Sequence, residues 1–388
     1  MSCFPFLCRD KVDTHTGDAY EVDGEISNIP NVKLFNYKQL KAATDDFSEA
    51  YKIGEGGFGS VYKGRLKGGK IAALKVLSAE SRQGEREFLT EINVISEIEH
   101  ENLVKLYGCC VESNQRILVY NYLENNSLAQ TLLGGNHSNI QFSWQTRYRI
   151  CIGVGRGLAF LHEQVQPPII HRDIKASNIL LDRDLTPKIS DFGLAKLIPD
   201  NATHVSTRVA GTLGYLAPEY AIGGRLTIKA DIYSFGVLLV EIVSGRCNTN
   251  TRLPPEEQYL LERTWDLHER KELVGLVDTS LNGHFDAEEA CRFLKIGLLC
   301  TQDNPKRRPS MSTIVKMLTG EIGIDENKIR KPAMISDFMD LKVRGPPKSK
   351  STSYNLTSSS DNRENSTLSS GASTSGTMTT LAANDQSL

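Results

Sequence analysis

His171-Arg172-Asp173 is followed five residues after the aspartate by Asn178 and then by Asp191-Phe192-Gly193, all set between short apolar runs. Three side chains that handle protons or metal ions are thereby kept close together. That spacing suits phosphoryl transfer from magnesium ATP, whose transition state asks for positioning and charge compensation rather than covalent chemistry. An aspartate orients a hydroxyl, and an Asn/Asp pair holds two metal ions.

The chain has 388 residues, room for two or three domain-sized units at about 150 residues each. Its net charge of -2 and the lack of a sustained basic stretch argue against electrostatically driven binding to nucleic acid. Eight cysteines, Cys3, Cys8, Cys109, Cys110, Cys151, Cys247, Cys291 and Cys300, make no CxxC pair, so they read as reduced thiols in a cytosolic compartment. No signal peptide is visible, and no apolar run approaches 18 residues.

Composition divides the chain into three. Residues 1–35 mix acidic and turn-forming types, and the Ser/Thr-rich tail at 322–388 is expected to be disordered from about 341. Residues 36–321 carry the fold. Residues 60–64, 71–76, 103–111 and 117–122 read as strands and 83–98 as an amphipathic helix, after which the periodicity turns helical from Trp144 onward. The fold class is therefore α+β and bilobal, with a small β-rich N-lobe at about 47–123 and a larger α-helical C-lobe at about 124–321.

Gly54-Glu55-Gly56-Gly57-Phe58-Gly59-Ser60-Val61 fits G-x-G-x-x-G-x-V. Glycines in this spacing also mark dinucleotide folds, but here strand residues follow instead of a helix, so the loop is a hairpin that covers phosphates. A near match to a Walker loop at 64–70 fails because Ile71 has no hydroxyl for magnesium. Lys75 sits in an apolar strand, where an unpaired ammonium is costly. Glu91, three residues after Phe88 and four before Ile95, shares their buried face and is the matching anion, whereas Glu85, Glu87 and Glu97 suit a solvated surface.

In joint order these motifs resemble the eukaryotic protein kinases, and Ala217-Pro218-Glu219 completes the set. The resemblance implies that Lys75 contacts the α/β-phosphates and pairs with Glu91, and that Asp173 is the catalytic base with Lys175 beside it. Asn178 and Asp191 hold Mg2+, with Mn2+ as a second choice. Ile53, Gly54, Gly56, Gly57, Phe58, Gly59, Val61, Lys75, Tyr120 and Leu123 line the ATP site, Tyr120 as gatekeeper. Asp231 steadies the backbone at His171 and Arg172, and Arg308 pairs with Glu219. The expected activity is ATP-dependent phosphorylation of protein Ser/Thr hydroxyls, with a pseudokinase scaffold as the alternative.

The run from Phe35 to Phe47, the stretch from His171 to Asp182, and Gly211-Thr212-Leu213-Gly214-Tyr215 look like plant receptor-like cytoplasmic kinases. That implies protein substrates and an upstream membrane receptor kinase as partners. Thr203, Ser206 and Thr207 are candidate phosphosites within reach of Arg172, and Thr212 matches the threonine that contacts the catalytic aspartate. Ser2 rules out N-myristoylation, whereas Cys3 and Cys8, bracketing apolar residues ahead of Arg9 and Lys11, are candidates for palmitoylation. The expected location is the cytoplasmic face of the plasma membrane, with a cytosolic fraction.

Overall fold

The computed structural model describes residues 32–56, 59–77, 82–112, 115–134, 140–199 and 202–332. Its N-lobe is an antiparallel sheet of β1 (Lys52–Gly56), β2 (Gly59–Arg65), β3 (Ile71–Leu77), β4 (Leu106–Glu112) and β5 (Gln115–Asn121), ordered β1-β2-β3-β5-β4. Both faces are covered. Ala72, Leu74, Cys110, Ile117 and Val119 pack under Phe35 and Leu40, the latter on helix α1 (Tyr37–Ala43). Leu77, Cys109, Leu118 and Tyr120 face Phe88, Ile92 and Ile95 of helix α2 (Arg82–Ile95). Because side chains alternate along a strand, Lys75 points to the α2 side, between Val61 on β2 and Leu118 on β5.

Several boundaries differ from the sequence reading. Helix α2 stops at Ile95 rather than residue 98, since only Ile98 beyond it is apolar and the chain turns there. Leu103 and Val104 are not part of β4; they pair instead with Ile189, where Val104 N–H donates to the Ile189 carbonyl at 3.0 Å. The N-lobe reaches back beyond residue 47, because Leu34 bridges Cys109 and α1 closes the outer face. The C-lobe continues past 321: Ile329 is buried and Pro332 bridges Gln302.

The C-lobe comprises α3 (Leu128–Thr131), α4 (Trp144–Ala159), α5 (Pro218–Gly223), α6 (Ile228–Ser244), α7 (Leu260–Glu269), α8 (Ala287–Cys300) and α9 (Met311–Leu318). Helix α6 is apolar nearly all round and accordingly lies in the core. It crosses α8 closely enough that a Cβ on Gly236 would stand 2.6 Å from the Cβ of Cys300, so only glycine fits. Short strands β6 (Ile169–Ile170), β7 (Ile179–Leu181), β8 (Pro187–Ile189) and β9 (Lys196–Leu197) hold the His171 and Asp191 loops against this core.

Candidate active site

Lys75 Nζ lies 2.9 Å from Glu91 Oε2 and 2.7 Å from Asp191 Oδ1. Burial disfavours its charge, but the two carboxylates outweigh that and hold the ammonium charged well above the ordinary lysine range. Burial likewise opposes the charge on Asp191, and Lys75 overrules it, so the carboxylate titrates below the usual range. Glu91 also receives Phe192 N–H at 3.3 Å, tying α2 to the Asp191 loop. Glu87 departs from expectation: it is buried, one turn before Glu91 on the same helix face and against Gly193, not solvated.

The Asp191 loop is held in a left-handed conformation, φ 68°, which carries strain for a residue with a side chain. Phe192 is fully buried beneath α2, its ring edge-on to His171 at 4.8 Å between centroids. Arg172 is left-handed too, φ 73°. The surroundings over-determine it: buried Asp231 accepts His171 N–H at 2.7 Å, Arg172 N–H at 2.8 Å and His162 at 2.9 Å. Those donors outweigh the cost of burial and keep Asp231 ionised below the usual carboxylate range. Thr227, not Asp231, caps α6. His162 is a site-supporting residue that the sequence reading missed; a histidine four residues after Leu158 and next to Leu161, on the buried face, was its only signal.

Asp173 Oδ1 accepts the Thr212 hydroxyl at 2.6 Å, and Lys175 Nζ lies 2.7 Å from that hydroxyl and 2.8 Å from Asp173 Oδ2. Asn178 Nδ2 donates to the Asp173 carbonyl at 2.9 Å and to Oδ2 at 3.0 Å. Asp173, Lys175, Asn178 and Thr212 thus form one cluster, with Lys75, Glu91 and Asp191 forming the second. On the hairpin above them, Ile53, Gly54, Gly56, Gly59 and Val61 lie in β1 and β2, with Gly54 paired to Val61 and Val61 to Lys75. Gly59 has φ 127°, and a Cβ there would stand 1.9 Å from the Val76 carbonyl, which makes glycine obligatory. Gly57 and Phe58 lie outside the described residues, as do Cys3 and Cys8. Tyr120 is the penultimate residue of β5, with Leu123 just beyond the strand; burial first, then Glu91 and Asp191, keep the Tyr120 phenol protonated.

Past this cluster, Arg308 clasps Glu219 through 2.7 and 2.8 Å bonds from a fully buried position. Arg172 donates to the carbonyls of Leu194 and Arg208 and to the Tyr220 hydroxyl, all neutral acceptors. Thr203 and Ser206 are exposed and Thr207 half-buried. A second network was not legible in sequence. Buried Glu241 accepts the Tyr215 hydroxyl at 2.7 and 2.8 Å and Asn248 N–H at 2.7 Å, while Asn248 Nδ2 holds the Gly214 carbonyl. Among the described residues no cation joins it, and burial pushes Glu241 up to about 7.

A β-rich lobe and a helical lobe closing on a lysine–glutamate pair, a strained Asp191 loop and an aspartate–asparagine cluster define the protein kinase class. The protein kinase domain family model matches residues 47–318, and the chain belongs to that family. It is 73% identical over 343 residues to cold-responsive protein kinase 1 of Arabidopsis thaliana, covering 88% of each chain. Two probable receptor-like serine/threonine-protein kinases with leucine-rich repeats, from the same plant, are 54% identical over 311 residues and 48% over 366. The chain spans 31% and 35% of their lengths. The protein is an ATP-dependent serine/threonine protein kinase. The likeness to plant receptor-like kinases carried by the three sequence runs agrees with these relatives.

Proposed function

We propose that Lys75, Asp173, Lys175, Asn178 and Asp191 divide the transfer of the γ-phosphoryl of MgATP to Ser/Thr hydroxyls of proteins, this chain included. The supporting observation is the Lys75 ammonium held between Glu91 and Asp191. Glu91 keeps that ammonium charged and aimed at the α/β-phosphates. Asp173 orients the acceptor hydroxyl and takes its proton, and Lys175 compensates charge on the transferred group. Asn178 commits its Nδ2 to Asp173 and so retains Oδ1 for a cation; with the Asp191 carboxylate it offers the hard oxygen donors that Mg2+ or Mn2+ favours. Phosphate and water oxygens would complete the coordination of such an ion. When bound, the metal neutralises phosphate oxygens. Purified Lys75→Glu and Asp173→Asn variants should fold yet lose autophosphorylation; activity near the parent's in either would refute the assigned role.

Activation is proposed to use phosphate on Ser206 or Thr207. That group adds nearly two negative charges within two residues of Arg208, whose carbonyl Arg172 already holds. Full activity in a Ser206→Ala, Thr207→Ala double variant would remove this switch. Attachment to the inner face of the plasma membrane through acylated Cys3 and Cys8, beneath an upstream receptor kinase, is proposed on sequence grounds. At about 0.8 kcal/mol per buried methylene, two chains give stable anchoring where one does not. Unchanged membrane partitioning of a Cys3→Ser, Cys8→Ser variant would refute it. The name of the 73% identical relative suggests a role in cold response.

A further inference from the structure

Residues 63–70 carry four cations, Lys63, Arg65, Lys67 and Lys70, with no intervening carboxylate. The turn is well formed, with Leu66 N–H donating to the Lys70 carbonyl at 2.8 Å and Gly69 N–H to the Leu66 carbonyl at 3.0 Å. Arg65, Lys67 and Lys70 are exposed. Lys70 lies 3.3 Å over the Tyr107 ring and Lys63 4.5 Å over Tyr122. Nearby lysines are neutralised, Lys41 by Asp46 and Lys52 by Glu49 and Glu55. None of the four hairpin cations has an ion-pair partner among the described residues.

The described chain enters at the same end of the sheet. Residues 33–35 run parallel to β4, with Cys109 N–H on the Lys33 carbonyl at 3.0 Å and Phe35 N–H on the Cys109 carbonyl at 2.8 Å. The register then links Leu106 to Tyr120, Asn121 to Ala72 and Ile71 to Arg65, so Val32 and the β2–β3 turn lie at one end of the sheet. At about 4.8 Å per strand, the entry point is about 14 Å from β3.

We propose that residues 10–25 dock on this cationic hairpin. They carry six carboxylates, Asp10, Asp13, Asp18, Glu21, Asp23 and Glu25, against Lys11 alone. From Val32 back to Glu25 the chain spans up to about 24 Å, enough to reach Lys67 and Lys70. Each exposed ion pair is weak, but a short tether supplies an effective concentration on the order of millimolar and several pairs act together. The contact covers the hairpin cations and holds the segment leading into α1 against the sheet. It is screened by salt, because the charges sit in solvent.

Zero-length carbodiimide crosslinking of the full chain, read by mass spectrometry on a mixture of light and isotope-labelled protein, tests this. At about 50 mM salt, Lys67 and Lys70 should crosslink within one chain to Asp18, Glu21, Asp23 or Glu25, and the yield should fall at least about fivefold at about 0.5 M. Arg65→Glu, which leaves both lysines in place, should cut the yield about as far, and adding Glu21→Arg and Asp23→Arg should restore crosslinks through Asp18 and Glu25. Crosslinks only between different chains would overturn the proposal, as would salt-insensitive yields or no rescue. Loss of the intramolecular crosslinks with phosphatidylserine vesicles bound through Lys67 and Lys70 at unchanged affinity after neutralising residues 10–25 would assign the hairpin to a membrane instead.

Discussion

Glu241 is a buried carboxyl with no cation beside it among the described residues, so Glu241→Gln should flatten part of the pH dependence of stability. Its carboxyl accepts from Tyr215 and Asn248 but faces no cation, and burial, the largest effect, pushes it from 4.5 to about 7. An acid raised in the fold contributes stability that is complete below its unfolded value and lost as pH rises through the folded one. At about 1.4 kcal/mol per tenfold change in proton affinity, ionisation costs the folded state roughly 3.4 kcal/mol at alkaline pH, of which roughly 2 kcal/mol falls between about pH 5.5 and about pH 8. Glutamine keeps an oxygen for Tyr215 or Asn248 and cannot titrate. Urea unfolding of both proteins at the two pH values should show the variant gaining about 2 kcal/mol on the parent as pH rises. Every other titrating group is common to both. Parallel profiles would refute the account, whatever the absolute stabilities.

Arg308→Ala should destabilise by about 3–5 kcal/mol in urea unfolding, because it leaves Glu219 partly buried without its cation; Arg308→Lys should recover only part, lacking the two-pronged contact. Thr212→Val should lower kcat about a hundredfold by releasing Asp173 and Lys175 from their shared hydroxyl, while Thr212→Ser retains most activity in a peptide assay, and equal loss in both would count against the hydroxyl. Asp191→Asn should raise the Mg2+ requirement and be partly relieved by added metal; equal loss at all concentrations would argue against a metal ligand.

The linear order of chemically distinct motifs was enough to determine the class of this protein. Glu91 was legible as the partner of Lys75 because both are charged residues in apolar periodic segments, and strand and helix periods state which face each occupies. Glu87 shares the Glu91 face by the same period, yet the sequence reading assigned it to solvent; the tertiary contact that covers it is with Gly193, remote in sequence but packed against that helix turn. Leu103 and Val104 look like strand residues because burial selects apolar side chains; that they meet Ile189 rather than extend β4 was settled by tertiary packing.

Supporting residues were the least legible. Asp231 could be named through resemblance, but His162, the Tyr215–Glu241–Asn248 network and the closing of the N-lobe by Phe35 and Leu40 depend on contacts across long sequence separations. Charge shows the same division. Sequence alone determined the sum of the charges and the clustering of acids before residue 26. Only the antiparallel register, which brings Arg65 opposite Ile71 and Asn121 opposite Ala72, decided that the cationic turn and the entering chain lie at one end of the same sheet. Hydrogen bonding between strands sets which ends meet, and no local pattern of side chains encodes that pairing.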